Sequence, residues 1–340
     1  MNHHQKLSPF RKIFKSTLVF YKTNWKKMVY LFLPIEAVVL ISLICLDLIP
    51  DSDSVIAAIA VGLFSLATFI FSCFYKFLVL DAPGIVERIN EGERPHPKAW
   101  YKSVLRKIIP LAVVMFCVGI LNFIFILLTM IPAGIVFLVT SILTKGLLQD
   151  SISSMLFTIA LSVILLYFAL RFIIKFFVGG IFSAYMYIFE GRKGLDAVAS
   201  SFLLTSKRQF RLSWRMAIIW ILSAVPFVLV AIAIGLFIPI NNLSDIYSAF
   251  FLHEEPALLN PGIFASVVLD VFTSLATLLS ATFFVTFTYF LWKDVKTTSH
   301  AFNESEYSKT RKHLRSLIIV GIIVIAALIV FSLIYDTVSY

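Results

Sequence analysis

Residues 10–48 read FRKIFKSTLVFYKTNWKKMVYLFLPIEAVVLISLICLDL, and the change at Met28 decides the fold. Before it stand the cations Arg11, Lys12, Lys15, Lys22, Lys26 and Lys27; from 28 to 48 there is no Lys or Arg. Crossing ~30 Å of hydrocarbon takes ~20 apolar residues at a helical rise of ~1.5 Å. Residues 28–48 therefore read as a membrane span. The cations before it read as a cytoplasmic flank, because Lys and Arg near a span resist translocation.

The same alternation continues along the chain. Further apolar runs of spanning length lie at about 55–80, 108–130, 153–175, 216–238, 268–291 and 317–335. The segments 1–27, 81–107, 176–215 and 292–316 hold 7, 6, 6 and 6 Lys+Arg, while 49–54, 131–152, 239–267 and 336–340 hold 0, 1, 0 and 0. The expected fold is an all-α polytopic bundle of seven spans, N-terminus in the cytoplasm and C-terminus outside. In lipid the backbone must satisfy its own hydrogen bonds, which favours helices. The alternating ~10-residue segments of a β-barrel are absent.

Composition agrees. Of 340 residues 60% are hydrophobic and 14% charged, against about a quarter charged in soluble domains. The net charge of +10 is sorted by side: the inner segments carry 25 Lys+Arg against nine acids, the outer ones Lys145 against seven acids. That pattern fits attraction to anionic inner-leaflet lipid and argues against nucleic acid. A single integral membrane domain over 1–340 is expected: a basic interfacial helix at 1–27, a six-span core at 28–291, and a basic linker plus seventh span at 292–340. No cleavable signal peptide precedes the first span, and Cys45, Cys73 and Cys117 all lie in apolar runs without CxxC spacing.

Within 1–27, Phe10, Ile13, Phe14, Thr17, Leu18, Tyr21 and Trp25 recur at helical spacing. This is the pattern of a helix lying in the interface, apolar face down. Pro9 suits its first turn, with Ser8 as a cap. Lys12, Lys15, Lys22, Lys26 and Lys27 are the expected lipid contacts. A similar face, Leu195, Val198, Ala199, Phe202 and Leu203, follows the fourth span; 98–107 is a shorter version, and 304–315 is more charged and partly loop. The expected unit is interfacial helix, span, outer loop, span, used three times before a seventh span. Ile131-Pro132-Ala133-Gly134 is expected to break the third apolar run, leaving 135–144 as an outer interfacial or re-entrant piece. Gly179-Gly180 offers a hinge, and the tail 176–189 is expected to run along or just below the inner interface.

Few residues suggest chemistry. Glu36 lies about 12 Å into the first span, and buried ionisable groups in lipid face a partner or a wet cavity. It reads as a proton or cation site or a substrate contact. Equally, it reads as an inter-helix pair with Lys76, Arg171 or Lys175, or as a carboxylate reaching for the interface. Asn122 could join two helices by a hydrogen bond. Glu36, Asn122, Arg171 and Lys175 are together the candidate intramembrane polar site. Asp270 sits near the outer end of span six, where Glu36 is not expected to meet it. The six histidines lie in tails or loops without HExxH spacing, and GxSxG, Walker and dinucleotide fingerprints are absent. No catalytic, cofactor or metal site is expected.

One resemblance stands beside this reading. Phe189-Glu190-Gly191-Arg192-Lys193-Gly194-Leu195-Asp196-Ala197-Val198-Ala199-Ser200-Ser201, and the aromatic–Asp ending Tyr289-Phe290-Leu291-Trp292-Lys293-Asp294, resemble a bacterial membrane family. It includes the membrane domain fused to some glycerophosphodiester phosphodiesterases, and stand-alone relatives. Glu190, Ser201 and Asp294 are the positions that match. The resemblance covers the spacing of spans one to six; the seventh departs from it. No phosphodiesterase domain is present, so that activity does not transfer. The functional expectation is a non-enzymatic accessory or organising component of a bacterial cytoplasmic membrane; the alternative is a small-solute transporter. No protein partner is indicated.

Overall fold

The computed structural model describes residues 7–49, 55–146, 177–237, 263–298 and 304–338. They form eight helices and no strand: α1 Phe10–Asp47, α2 Val55–Asn90, α3 Pro97–Gly146, α4 Ser183–Glu190, α5 Gly194–Thr205, α6 Gln209–Phe237, α7 Ile263–Thr298 and α8 Glu304–Val338. Five of the described helices, α1, α2, α3, α6 and α7, are long and apolar enough to cross a membrane. The seventh expected span lies within α8, and the fourth, 153–175, falls outside the described residues.

Beside an apolar core, the long helices bury polar side chains and expose large apolar ones. On α7, Ser280, Thr282, Thr286 and Thr288 are buried while Leu269, Phe272, Leu275 and Leu279 are exposed. The buried threonines fold back onto their own helix, Thr282 donating to the Leu278 carbonyl at 2.9 Å and Thr286 to the Thr282 carbonyl at 2.8 Å, while Ser280 donates across to the Ser223 carbonyl of α6 at 2.6 Å. On α2, Ile56, Ile59, Leu63, Leu66, Phe69 and Ile70 are all exposed. Apolar surface on this scale is unstable in water and is what a lipid-facing helix presents.

Flank and span are joined more tightly than expected. α1 runs without interruption from Phe10 through Met28 and Pro34 to Asp47; there is no separate interfacial helix. It starts directly after Pro9, without a side-chain cap. The expected lipid-facing stripe is largely taken by protein. Phe10 and Phe14 pack against Phe287 and Phe283, Tyr21 meets Phe283 and shares a 3.1 Å hydrogen bond with Thr282, and Ile13, Thr17 and Phe20 are buried. Leu18 and Trp25 alone of that stripe are exposed. α3 likewise continues through Pro132 to Gly146, so Ile131–Gly134 does not end it. Proline removes one ladder bond, and a helix in lipid has no water to offer its freed groups if it stops. Residues 304–315, expected as partly loop, begin α8.

The chain divides into two compact units. The first comprises Met1–Leu7, Lys107–Met216 and Trp292–Tyr340; the second comprises Ser8–Arg106 and Ala217–Leu291. In the second, Phe32 of α1 is enclosed by Tyr75 of α2 and Trp100 of α3, and the Trp100 indole N–H donates to Asp81 at 2.9 Å. Tyr101 donates to the Leu31 carbonyl at 2.6 Å. In the first, α5 is a short helix distinct from the spans, and Ala197, Val198, Ala199, Ser200, Ser201 and Phe202 are buried. Its face is a protein core rather than a lipid contact.

Candidate functional site

Both units bring polar side chains together among the described residues. In the first, the ends of α4 and α7 are locked together. α4 stops at Gly191, whose φ of +67° a side chain would strain; its N–H returns to the Tyr187 carbonyl at 3.1 Å. Just before that stop, the Phe189 ring stacks on Trp292 at 4.3 Å, and Glu190 meets Lys296 at 3.1 Å and Arg192 at 3.2 Å. Lys296 also lies over the Trp292 ring at 5.0 Å. The two sequence stretches that carry the resemblance therefore touch.

Ser201 completes a second junction. The chain turns at Ile181-Phe182, which frees the Gly179 carbonyl and the Phe182 amide. One hydroxyl serves both: Ser201 Oγ donates to Gly179 O and accepts from Phe182 N–H at 3.2 Å. Gly179 matters for space rather than as a pivot, because a Cβ there would lie 2.6 Å from the Phe202 ring. Asp294 faces Arg215 at 3.6 Å, each side chain 10% exposed, a close ion pair. Arg208 caps the end of α7 through the Thr298 hydroxyl and carbonyl and the Val295 carbonyl. Burial lowers the Arg208 guanidinium, with Asp294 opposing. Asp196 of α5 meets Arg311 of α8 at 2.7 Å, and Arg192 lies over the Tyr307 ring at 5.4 Å. Tyr307 is raised, first by burial and then by its hydrogen bond with Asp196.

In the second unit the polar groups lie along the facing sides of α1 and α7. Glu36 is 7% exposed and hydrogen-bonds Ser274. Tyr75 of α2 is close enough to feel its charge. One turn before Ser274, Asp270 hydrogen-bonds Asp47, the last residue of α1. Glu36 and Asp270 thus have different partners across α1 and α7: Glu36 of α1 meets Ser274, and Asp270 of α7 meets Asp47.

The expected polar set is divided. The partner of Glu36 is Ser274, and Lys76 is exposed. Asn122 is half-buried on α3 in the first unit, and Arg171 and Lys175 lie outside the described residues. Glu190, Ser201 and Asp294 all fall in the α4–α5–α7 junction. Lys12, Lys15, Lys22 and Lys26 are exposed, whereas Lys27 is half-buried and donates to Asn24 at 3.0 Å. The sequence reading passes over Ser274, Tyr75, Asp47 and Arg215, and has Arg208 only as a polar companion of the 195–203 face. Only Ser274 had a signal, its place four residues after Asp270, which puts both on one helical face.

No family model, curated protein or solved structure matches this chain. Its function is therefore argued from its own residues.

Proposed function

We propose that this chain is a non-enzymatic, multi-pass component of a bacterial cytoplasmic membrane that organises its surroundings by holding anionic lipid at its cytoplasmic face. The observation that carries the reading is α1. Its apolar stripe is occupied by α7, which leaves Arg11, Lys12, Lys15, Lys22 and Lys26 exposed with Leu18 and Trp25 at the edge of the same face. Such a face suits lipid headgroups: long cationic stems lie along apolar surface while their charges reach phosphate, each worth about 1 kcal/mol near an anionic leaflet. The charge sorting that puts basic segments inside supports the N-in, C-out orientation. The ion-paired α4–α5–α7 junction supports a scaffold at that face, not a reaction centre.

The test uses the whole protein extracted in polymer nanodiscs from mixed membranes. Anionic lipid should be enriched over bulk and fall toward bulk when Lys12, Lys15, Lys22, Lys26 and Lys27 are changed to Gln. Bulk composition around the unaltered protein would overturn the lipid claim. A small-solute transporter is the second reading, favoured by the buried Glu36 between helices. Flux in proteoliposomes that Glu36→Gln abolishes would promote it over the first.

A further inference from the structure

The geometry points to Glu36 as a reversible proton-binding site inside the membrane, built between α1, α2 and α7 of the second unit. This goes beyond the scaffold reading and needs only the membrane setting that the long apolar helices with exposed apolar faces support.

A carboxylate in hydrocarbon needs a cation or several donors; the neutral acid needs neither. Glu36 is 7% exposed, and none of the ion pairs among the described residues includes it. Its bonded partner is a hydroxyl, Ser274. The groups at it are hydroxyls: Ser274 on α7 bonds it and Tyr75 on α2 lies within range of its charge; the other acids of these helices, Asp270 one turn from Ser274 and Asp47 about three turns further along α1, pair with each other. The neutral acid therefore fits this seam.

The ionised form is also provided for. Tyr75 is 9% exposed and its hydroxyl has no hydrogen-bond partner among the described residues. It can donate to a carboxylate beside it, as can Ser274. The Ser274 hydroxyl bonds the carboxyl and the unpartnered Tyr75 hydroxyl lies within range of its charge, so both protonation states have a polar group at hand.

The test is labelling of the full-length protein in liposomes with dicyclohexylcarbodiimide, an apolar reagent. It takes the carboxyl proton on one nitrogen while the carboxyl oxygen bonds its central carbon, so only the protonated form reacts. Peptide mass spectrometry should find the adduct on Glu36. Its initial rate should fall about tenfold per pH unit above the midpoint of titration. Glu36→Gln should abolish the label at that peptide. Tyr75→Phe, which removes one donor and keeps the ring, should displace the pH profile. If Glu36→Gln fails to fold, the unaltered protein and Tyr75→Phe still decide the matter. An unlabelled Glu36 at every pH, a rate independent of pH, or a profile that Tyr75→Phe leaves in place would overturn the proposal.

Discussion

Two glutamates in this molecule are handled in opposite ways. Glu190, in the first unit, is flanked by Arg192 and Lys296 and lies beside the stacked Phe189 and Trp292 rings. Glu36, in the second, has a serine and a tyrosine for company. The first is a charge neutralised by charges at a helix end, where water is near. The second is a carboxyl held by hydroxyls among apolar helices. The difference teaches that burial alone does not mark a functional acid; the chemistry of its neighbours does.

Four substitutions sharpen or break that contrast. The largest effect belongs to Asp294→Ala, which leaves Arg215 buried without its counter-charge. Removing one partner of a buried pair costs about 3 kcal/mol or more. Unfolding in detergent should show it, and Arg215→Met with Asp294→Leu should recover most of the loss. A loss under about 1 kcal/mol would mean that solvent screens the pair.

Ser201→Ala comes next. It strips the Gly179 carbonyl and the Phe182 amide of one shared hydroxyl, and buried unsatisfied groups cost roughly 1–3 kcal/mol. Ser201→Cys, a weaker donor of similar shape, should fall between. A neutral Ser201→Ala would remove the junction from the account.

Glu36→Gln should be mild, below about 1 kcal/mol, because an amide replaces a neutral acid of the same shape among hydroxyls. Glu36→Lys should be severe, and a Gln as damaging as Lys would show that the carboxyl is held ionised. The smallest effect is expected for Asp196→Asn. Its partner Arg311 has a side chain 54% exposed, and Asp196 itself is 39% exposed, so the change should cost under about 1 kcal/mol and vanish at high salt.

Much of the fold was legible in the sequence because it is written locally. Apolar runs of spanning length and the cations between them need no knowledge of partners, and α1, α2, α3, α6 and α7 appear where those runs lie. What failed was punctuation. Met28, Pro132 and residue 304 were read as boundaries or loop, yet helices run through the first two and begin at the third. In lipid an interrupted helix has no solvent for its freed amides, so continuation wins over local breaking signals. The candidate site was legible by residue type but not by pairing. Glu36 was visible as an acid in a span; Ser274 could be assigned to it only once α1 and α7 were seen to pack. Glu190, Ser201 and Asp294 stood out by pattern, but their partners Lys296, Phe182 and Arg215 are fixed by tertiary structure.

The central claim is that basic segments stay on one side while the spans alternate. It is tested by placing single cysteines, in a variant lacking Cys45, Cys73 and Cys117, at Asp51, Lys102, Glu254 and Lys309, and labelling intact cells with an impermeant maleimide. The account predicts reaction at 51 and 254 from outside, and at 102 and 309 only after the membrane is opened. Labelling of 51 and 254 from opposite sides would contradict it.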